Sequence, residues 1–151
     1  MKLVILHNIR SHYNVGAILR TADAAGVSRV YFSGITPLPV DRFGRAVPEI
    51  SKTALGAEIS VPSEAVPNLP ALIMTLQNSG VTVVAVEQAL GSISLPDFVV
   101  PDQVAYLMGS ETDGVEPDIL ALVDAILELP MLGTKESLNV SVTAGIVLYH
   151  R

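Results

Sequence analysis

Residues 2–33, "KLVILHNIRSHYNVGAILRTADAAGVSRVYFS", decide the fold class. "KLVILHN" (2–8) is a short apolar run with the length of a buried strand, and "VSRVYFSG" (27–34) reads as a second. Between them "NVGAILRTADAAG" (14–26) spaces its apolar residues helically, with Asn14 as a plausible N-cap and Gly26 as the stop. Strand, helix and strand within about 30 residues form a right-handed parallel crossover.

The alternation continues outward. "ITPLPVDRFGRAVPEI" (35–50) is a loop by its prolines and charges, and "SKTALGAE" (51–58) is a short helix at most. A brief strand "ISVP" (59–62) precedes an amphipathic helix, "PNLPALIMTLQNSG" (67–80). "VTVVAVE" (81–87) and "QVAYLMG" (103–109) are further buried strands. "VEPDILALVD" (115–124) reads as a helix, "AILELP" (125–130) as a strand, and the apolar run from Ser137 as a last helix. The expected fold is α/β: a mostly parallel sheet flanked by helices on both faces, in one domain spanning 1–151. No internal repeat, low-complexity tract or linker interrupts it.

Composition narrows the chemistry. Half of the 151 residues are apolar but only 5% aromatic, so the core is aliphatic, as parallel strands and their covering helices require. With no cysteine, disulfides, thiolate catalysis and cysteine-bound metals are excluded. The three histidines form no ligand-like pair, so no metal site is expected. The four-residue apolar core of the first segment is too short for a signal peptide. A helix from Ser137 to the end spans about 22 Å, short of the roughly 30 Å of a bilayer core. The expectation is a cytoplasmic protein with no membrane segment. Net charge is −6, unevenly spread. Arg10 to Lys52 holds six basic and three acidic residues, a local +3, while Thr53 to Arg151 carries −10. The first third is the region able to attract phosphate.

In parallel sheets ligands gather at the carboxyl ends of strands. Three polar or glycine-rich stretches follow strand ends here: "NIRSHYN" (8–14), "GSETDG" (109–114) and "PMLGTKESLN" (130–139). Arg20 follows Gly16 by one turn, and helical side chains lean toward the N-terminus, so its guanidinium has a path toward the strand ends. The plainer alternative is a surface arginine paired with Asp23. Gly109 permits close approach of a ligand to backbone, while Glu111 and Asp113 in the same loop suit a cation or hydroxyl donors rather than an anion. Asn139 falls inside the first turn of the last helix, where asparagine is a poor helix former, so its carboxamide wants partners from elsewhere. Thr134 or Ser137 would cap that helix. No dinucleotide, phosphate-loop, nucleophile-elbow or zinc-protease signature is present, and no histidine stands beside a plausible nucleophile.

Taken together, "NVGAILRTADAAG", "GSETDG" and "ELPMLGTKESLNVSV" resemble the three motifs of the SpoU (TrmH-like) branch of the SPOUT RNA methyltransferases, in order, across nearly the whole chain. The resemblance implies methyl transfer from S-adenosylmethionine to a ribose 2′-hydroxyl of tRNA or rRNA. It also implies a sheet with a C-terminal trefoil knot, and a homodimer. By motif match, Asn14, Arg20, Glu111, Ser137 and Asn139 are the catalytic candidates. The cofactor would rest near Val86, Gly109, Leu129, Met131, Ser137 and Leu138. Many members carry an additional RNA-binding domain, so this chain is expected to be close to a minimal catalytic core. RNA contact would then lean on Arg10, His12, Arg42, Arg45 and Lys52, with Tyr13 beside them. The alternative is a non-catalytic dimeric RNA- or nucleotide-binding protein on the same fold.

Overall fold

The computed structural model describes residues 1–151. Seven strands form one sheet in the order β3-β2-β1-β6-β4-β7-β5, every pairing parallel. They are β1 (Lys2–His7), β2 (Arg29–Ser33), β3 (Ser63–Val66), β4 (Thr82–Val86), β5 (Ile93–Ser94), β6 (Val104–Met108) and β7 (Ala125–Glu128). The helices are α1 (His12–Ala24), α2 (Pro48–Ala54), α3 (Ala57–Ser60), α4 (Leu69–Asn78), α5 (Pro117–Leu120) and α6 (Val140–Tyr149). The expected parallel α/β sheet is therefore the fold.

The strands read as continuous apolar runs because both faces are covered. Val4, Leu6, Val84, Val104, Tyr106 and Met108 enter the larger core cluster, which α1, α2 and α6 cover. Their neighbours Leu3, Ile5, Val83, Ala85, Ala105 and Leu107 enter the smaller one, under α4 and α5. The period of two thus splits one hydrophobic run between two cores. Truncating a fully buried strand residue such as Leu6 to alanine costs about 2–5 kcal/mol.

Register positions the site. Leu6 lies opposite Met108, Met108 opposite Val86, and Val86 opposite Leu127. Four central strands therefore end level, and the loops that follow them emerge side by side. The chain steps outward from β1 to β3, returns to β4 on the other side, and later inserts β6 between β1 and β4. That reversal is where open parallel sheets form their crevice.

Several local expectations are corrected. Ser11, not Asn14, caps α1, its hydroxyl accepting from the Asn14 N–H at 3.2 Å. Serine is an equally good cap, and His12 and Tyr13 extend the helix back to it. Neither Thr134 nor Ser137 caps α6: Asn139 does, its Oδ1 accepting from the Ser141 N–H at 2.9 Å. The strand read at 59–62 lies instead at Ser63–Val66, because Pro62 has no N–H for the ladder and residues 57–60 close a helical turn. The helix read at 115–124 shrinks to Pro117–Leu120, and the two-residue β5 had no legible signal.

Candidate active site

The β1–α1 loop, the β6–α5 loop and the start of α6 meet at the carboxyl edge of the sheet, where hydrogen bonds join them. Glu111 Oε1 accepts from Asn14 Nδ2 at 3.3 Å and from the Ser11 N–H at 3.4 Å; its Oε2 accepts from the Arg10 N–H at 3.1 Å. Asn139 Nδ2 in turn donates to Asn14 Oδ1 at 3.2 Å. Asn139 Oδ1 accepts from both the N–H and the hydroxyl of Ser141. The Ser11 cap leaves the Asn14 carboxamide free for this work. Burial works to raise the Glu111 carboxyl. Its own N–H, the Arg10 N–H, the Asn14 amide and the Ser11 N–H outweigh that and hold it below the ordinary carboxylate value. Glu111 is thus a fixed anion that orients Asn14, which orients Asn139.

Beside this relay lies a cavity of about 850 Å³. Val86, Met108, Leu127, Leu129 and Met131 supply its apolar lining, at and just beyond the ends of β4, β6 and β7. Gly109, Glu111, Ser137, Leu138 and Asn139 line it as well, with Asn14 at the edge of α1. Nine of the sequence-derived candidates therefore share one concave surface, of the size and mixed polarity that suits a small-molecule cofactor.

Glu87, which carried no motif signal, braces that surface. Its Oε2 accepts from the Val115 N–H at 2.9 Å and its Oε1 from the Gln88 N–H at 2.8 Å. A side chain on Gly114, whose φ is +68°, would collide with this carboxylate. Gln88 Nε2 donates to the Glu136 carbonyl at 2.8 Å, tying the β4 loop to the lead-in of α6. At Gly109, whose backbone lines the cavity, the space a side chain would fill is taken by Gly114 and Val115, at 2.6 Å. The missing side chain lets the loop close on itself there.

Arg20 stands apart. It is exposed on α1 and does not line the cavity of its own chain. Gly16 gives it no path, because a Cβ there would meet Thr53 Oγ1 and the Ile50 carbonyl of α2. The glycine serves the close α1–α2 contact instead. Arg20 forms no ion pair with Asp23, whose Oδ1 accepts from the Ser60 hydroxyl at 2.7 Å.

The basic residues of the first third are surface groups. Arg10 approaches Asp113 at 3.7 Å, His12 is exposed at the start of α1, and Lys52 lies 6.0 Å from the centre of the Tyr13 ring. Arg42 and Arg45 flank Phe43.

A second network behind the β6–α5 loop escaped the sequence reading. His7, buried at the end of β1, contacts Ser33 Oγ through Nδ1 at 3.0 Å and Glu116 Oε2 through Nε2 at 2.9 Å. Asn8 Nδ2 donates to Glu116 Oε1 at 3.2 Å. A histidine stands beside a hydroxyl here, but Ser33 is only 3% exposed and faces no cavity described above. The network anchors the loop that carries Glu111. The polar pair His7–Asn8 ending an apolar strand was the available signal; its partner is 109 residues away.

Known proteins match this chain in sequence and fold. The SpoU rRNA Methylase family matches residues 1–149. The 23S rRNA (guanosine-2'-O-)-methyltransferase RlmB of Neisseria meningitidis is 38% identical over 146 residues, covering 97% of this chain and 56% of the relative. The crystal structure of the A. aeolicus TrmH/SpoU tRNA modifying enzyme aligns with a TM-score of 0.84 at 29% identity, over 99% of this chain and 72% of that one. The AdoMet-bound rRNA methyltransferase from Sinorhizobium meliloti aligns at 0.82 and 29%, over 99% and 54%. The chain thus spans little more than half the length of the curated relatives it matches.

Proposed function

The chain belongs to the SpoU rRNA Methylase family, and from that premise we propose that it is an S-adenosylmethionine-dependent RNA methyltransferase acting on a ribose 2′-hydroxyl. The observation that carries this reading is the convergence of three strand-end loops on one cavity, with the Glu111–Asn14–Asn139 relay along its edge. The site residues fit the cofactor. The apolar lining suits an adenine, and the carboxylates of Glu87, Glu111 and Glu136 suit a ligand carrying positive charge. Val86, Gly109, Leu129, Met131, Ser137 and Leu138 would hold it.

When bound, S-adenosylmethionine supplies an electrophilic methyl group on a sulfonium. Transfer of that methyl to the ribose oxygen would leave S-adenosylhomocysteine, with the hydroxyl proton passing to solvent. The chain must bind the ribose, align its oxygen and stabilise the charge that develops there. Asn139, held from Glu111 through Asn14, and Ser137 on the same cavity wall would present polar groups to the sugar. Arg20 is no base, since a guanidinium stays protonated at working pH. We assign it to the phosphate beside the reacting ribose and to the developing alkoxide, a contribution of about 3–4 kcal/mol for a preorganised donor. Because Arg20 lies outside its own cavity, this role calls for a homodimer in which a second copy brings its α1 to the site. The exposed Val142, Ile146 and Tyr149 of α6 offer an apolar face for that contact. The trefoil knot belongs to the same reading, and the Gln88–Glu136 tie is in keeping with it. Work in the cytoplasm, on RNA, belongs to the same reading; no helix is long and apolar enough to cross a membrane. The relatives' names favour ribosomal over transfer RNA as substrate.

Calorimetry tests the reading. S-adenosylmethionine and S-adenosylhomocysteine should each bind at one site per chain, and Met131→Arg, which places a cation in the cavity wall, should abolish binding. Absence of binding to the wild type would end it. The position of Arg20 favours a second reading, a non-catalytic RNA-binding dimer; that protein would bind RNA but transfer no methyl.

A further inference from the structure

The loop between β2 and α2 carries an aromatic side chain that the core does not use. Val40 and Ala46 form an antiparallel bridge, and the Asp41 N–H donates to the Arg45 carbonyl at 2.8 Å. The Asp41 carboxylate fills the turn: Oδ1 accepts from the Phe43 N–H at 2.8 Å and the Arg45 N–H at 2.9 Å, and Oδ2 accepts from Arg45 Nε at 2.9 Å. Gly44 completes it at φ +76°. Donation by the Arg45 N–H, foremost among these, holds the Asp41 carboxyl below its ordinary value against the opposing effect of desolvation. The hairpin is therefore set before any ligand arrives.

At its tip Phe43 is 66% exposed, with the Arg42 guanidinium 4.7 Å and the Arg45 guanidinium 4.9 Å from the ring centre. The two arginines differ. Arg45 is fixed by Asp41, whereas Arg42 has no ion pair or hydrogen bond. A rigid loop that displays a phenylalanine between two cations has the composition of a stacking platform for an unpaired base, with a phosphate ligand beside it. The hairpin leads directly into α2, whose Thr53 hydroxyl donates to the Tyr13 carbonyl at the start of α1. There Lys52 of α2 and the half-exposed Tyr13 ring of α1, the helix that carries Asn14, form a second aromatic–cation pair. Both pairs lie in the one basic third of an acidic chain.

We propose that Phe43 stacks an unpaired nucleobase of the RNA substrate, with Arg45 as the fixed cation behind it and Arg42 moving onto the adjacent phosphate. The proposal rests on the RNA-methyltransferase reading and adds a subsite to it. Binding of the full chain to fluorescein-labelled 12-nucleotide single strands of uridylate and adenylate, and to an abasic strand of the same length, tests it. Phe43→Ala should weaken both base-bearing strands about tenfold or more and leave the abasic strand unchanged, while Phe43→Trp stays near wild type. Arg42→Gln should flatten the fall of log affinity with log salt by about 0.7, a slope that Phe43→Ala leaves alone. The exposed ring makes unfolding of these variants no concern. Equal RNA affinity of Phe43→Ala and wild type overturns the platform. So does a wild type that binds S-adenosylmethionine but neither base-bearing strand. Unchanged RNA affinity with altered sedimentation overturns it in favour of a protein contact. A wild type that binds RNA through Phe43 but not S-adenosylmethionine leaves the platform standing and removes the methyltransferase reading.

Discussion

At the scale of single residues, the site depends on two asparagines that do different jobs with each half of a carboxamide. Asn139 caps α6 with its oxygen and holds Asn14 with its nitrogen. Asn139→Ser separates them: serine keeps the cap, so stability should fall by no more than about 0.5 kcal/mol, while the link to Asn14 is lost. Methyl transfer should drop tenfold or more with the denaturation midpoint nearly unmoved; loss of both together would make Asn139 merely structural. Tyr106 offers the converse test. Its hydroxyl is buried in β6 without a partner, and burial pushes its ionisation up to about 12. Tyr106→Phe should leave stability unchanged or raise it by about 1 kcal/mol, read as a shift of about 2–4 °C in thermal midpoint. The residue types at 14, 111 and 139 were legible as polar groups at strand ends. The relay was not, because its bonds join positions 97 and 125 residues apart. Sequence spacing says nothing at that range.

At the scale of elements, the apolar runs announced β1, β2, β4, β6 and β7, since only strands covered on both faces are so uniformly hydrophobic. The short pieces were misplaced where backbone chemistry overrides pattern. Pro62 delays β3, and Leu55 and Gly56, both at positive φ, split what read as one short helix into α2 and α3. Gly16 was read as an opening for Arg20, when it is the contact point of α1 with α2. Gly16→Ala should therefore cost about 1–3 kcal/mol by overpacking against the α2 backbone, measured by chemical denaturation. Calorimetry on the folded variant should still show cofactor binding, because every lining residue but Asn14 lies on other elements. A neutral substitution would return the glycine to the role first read for it.

At the scale of the whole molecule, the uneven charge suits an enzyme that takes a polyanion at one region while keeping an acidic surface elsewhere. Arg20 lies outside the cavity of its own chain, and the half-covered α6 is the physical reason to expect a second copy. Val142→Glu with Ile146→Glu should convert a dimer into a monomer by sedimentation, with Arg20→Lys as a dimeric control that also loses turnover. A wild-type monomer with full activity would remove both the dimer and the role of Arg20 across it. The most direct measurement of the central claim is transfer of radiolabelled methyl from S-adenosylmethionine to ribosomal RNA lacking its own modifications, followed by alkaline digestion. Label in alkali-resistant dinucleotides, lost in Arg20→Ala and Asn139→Ala, is the expected result, because a methylated 2′-oxygen cannot attack its phosphate. Label released as base-methylated mononucleotides, or none transferred by a protein that binds the cofactor, would contradict it.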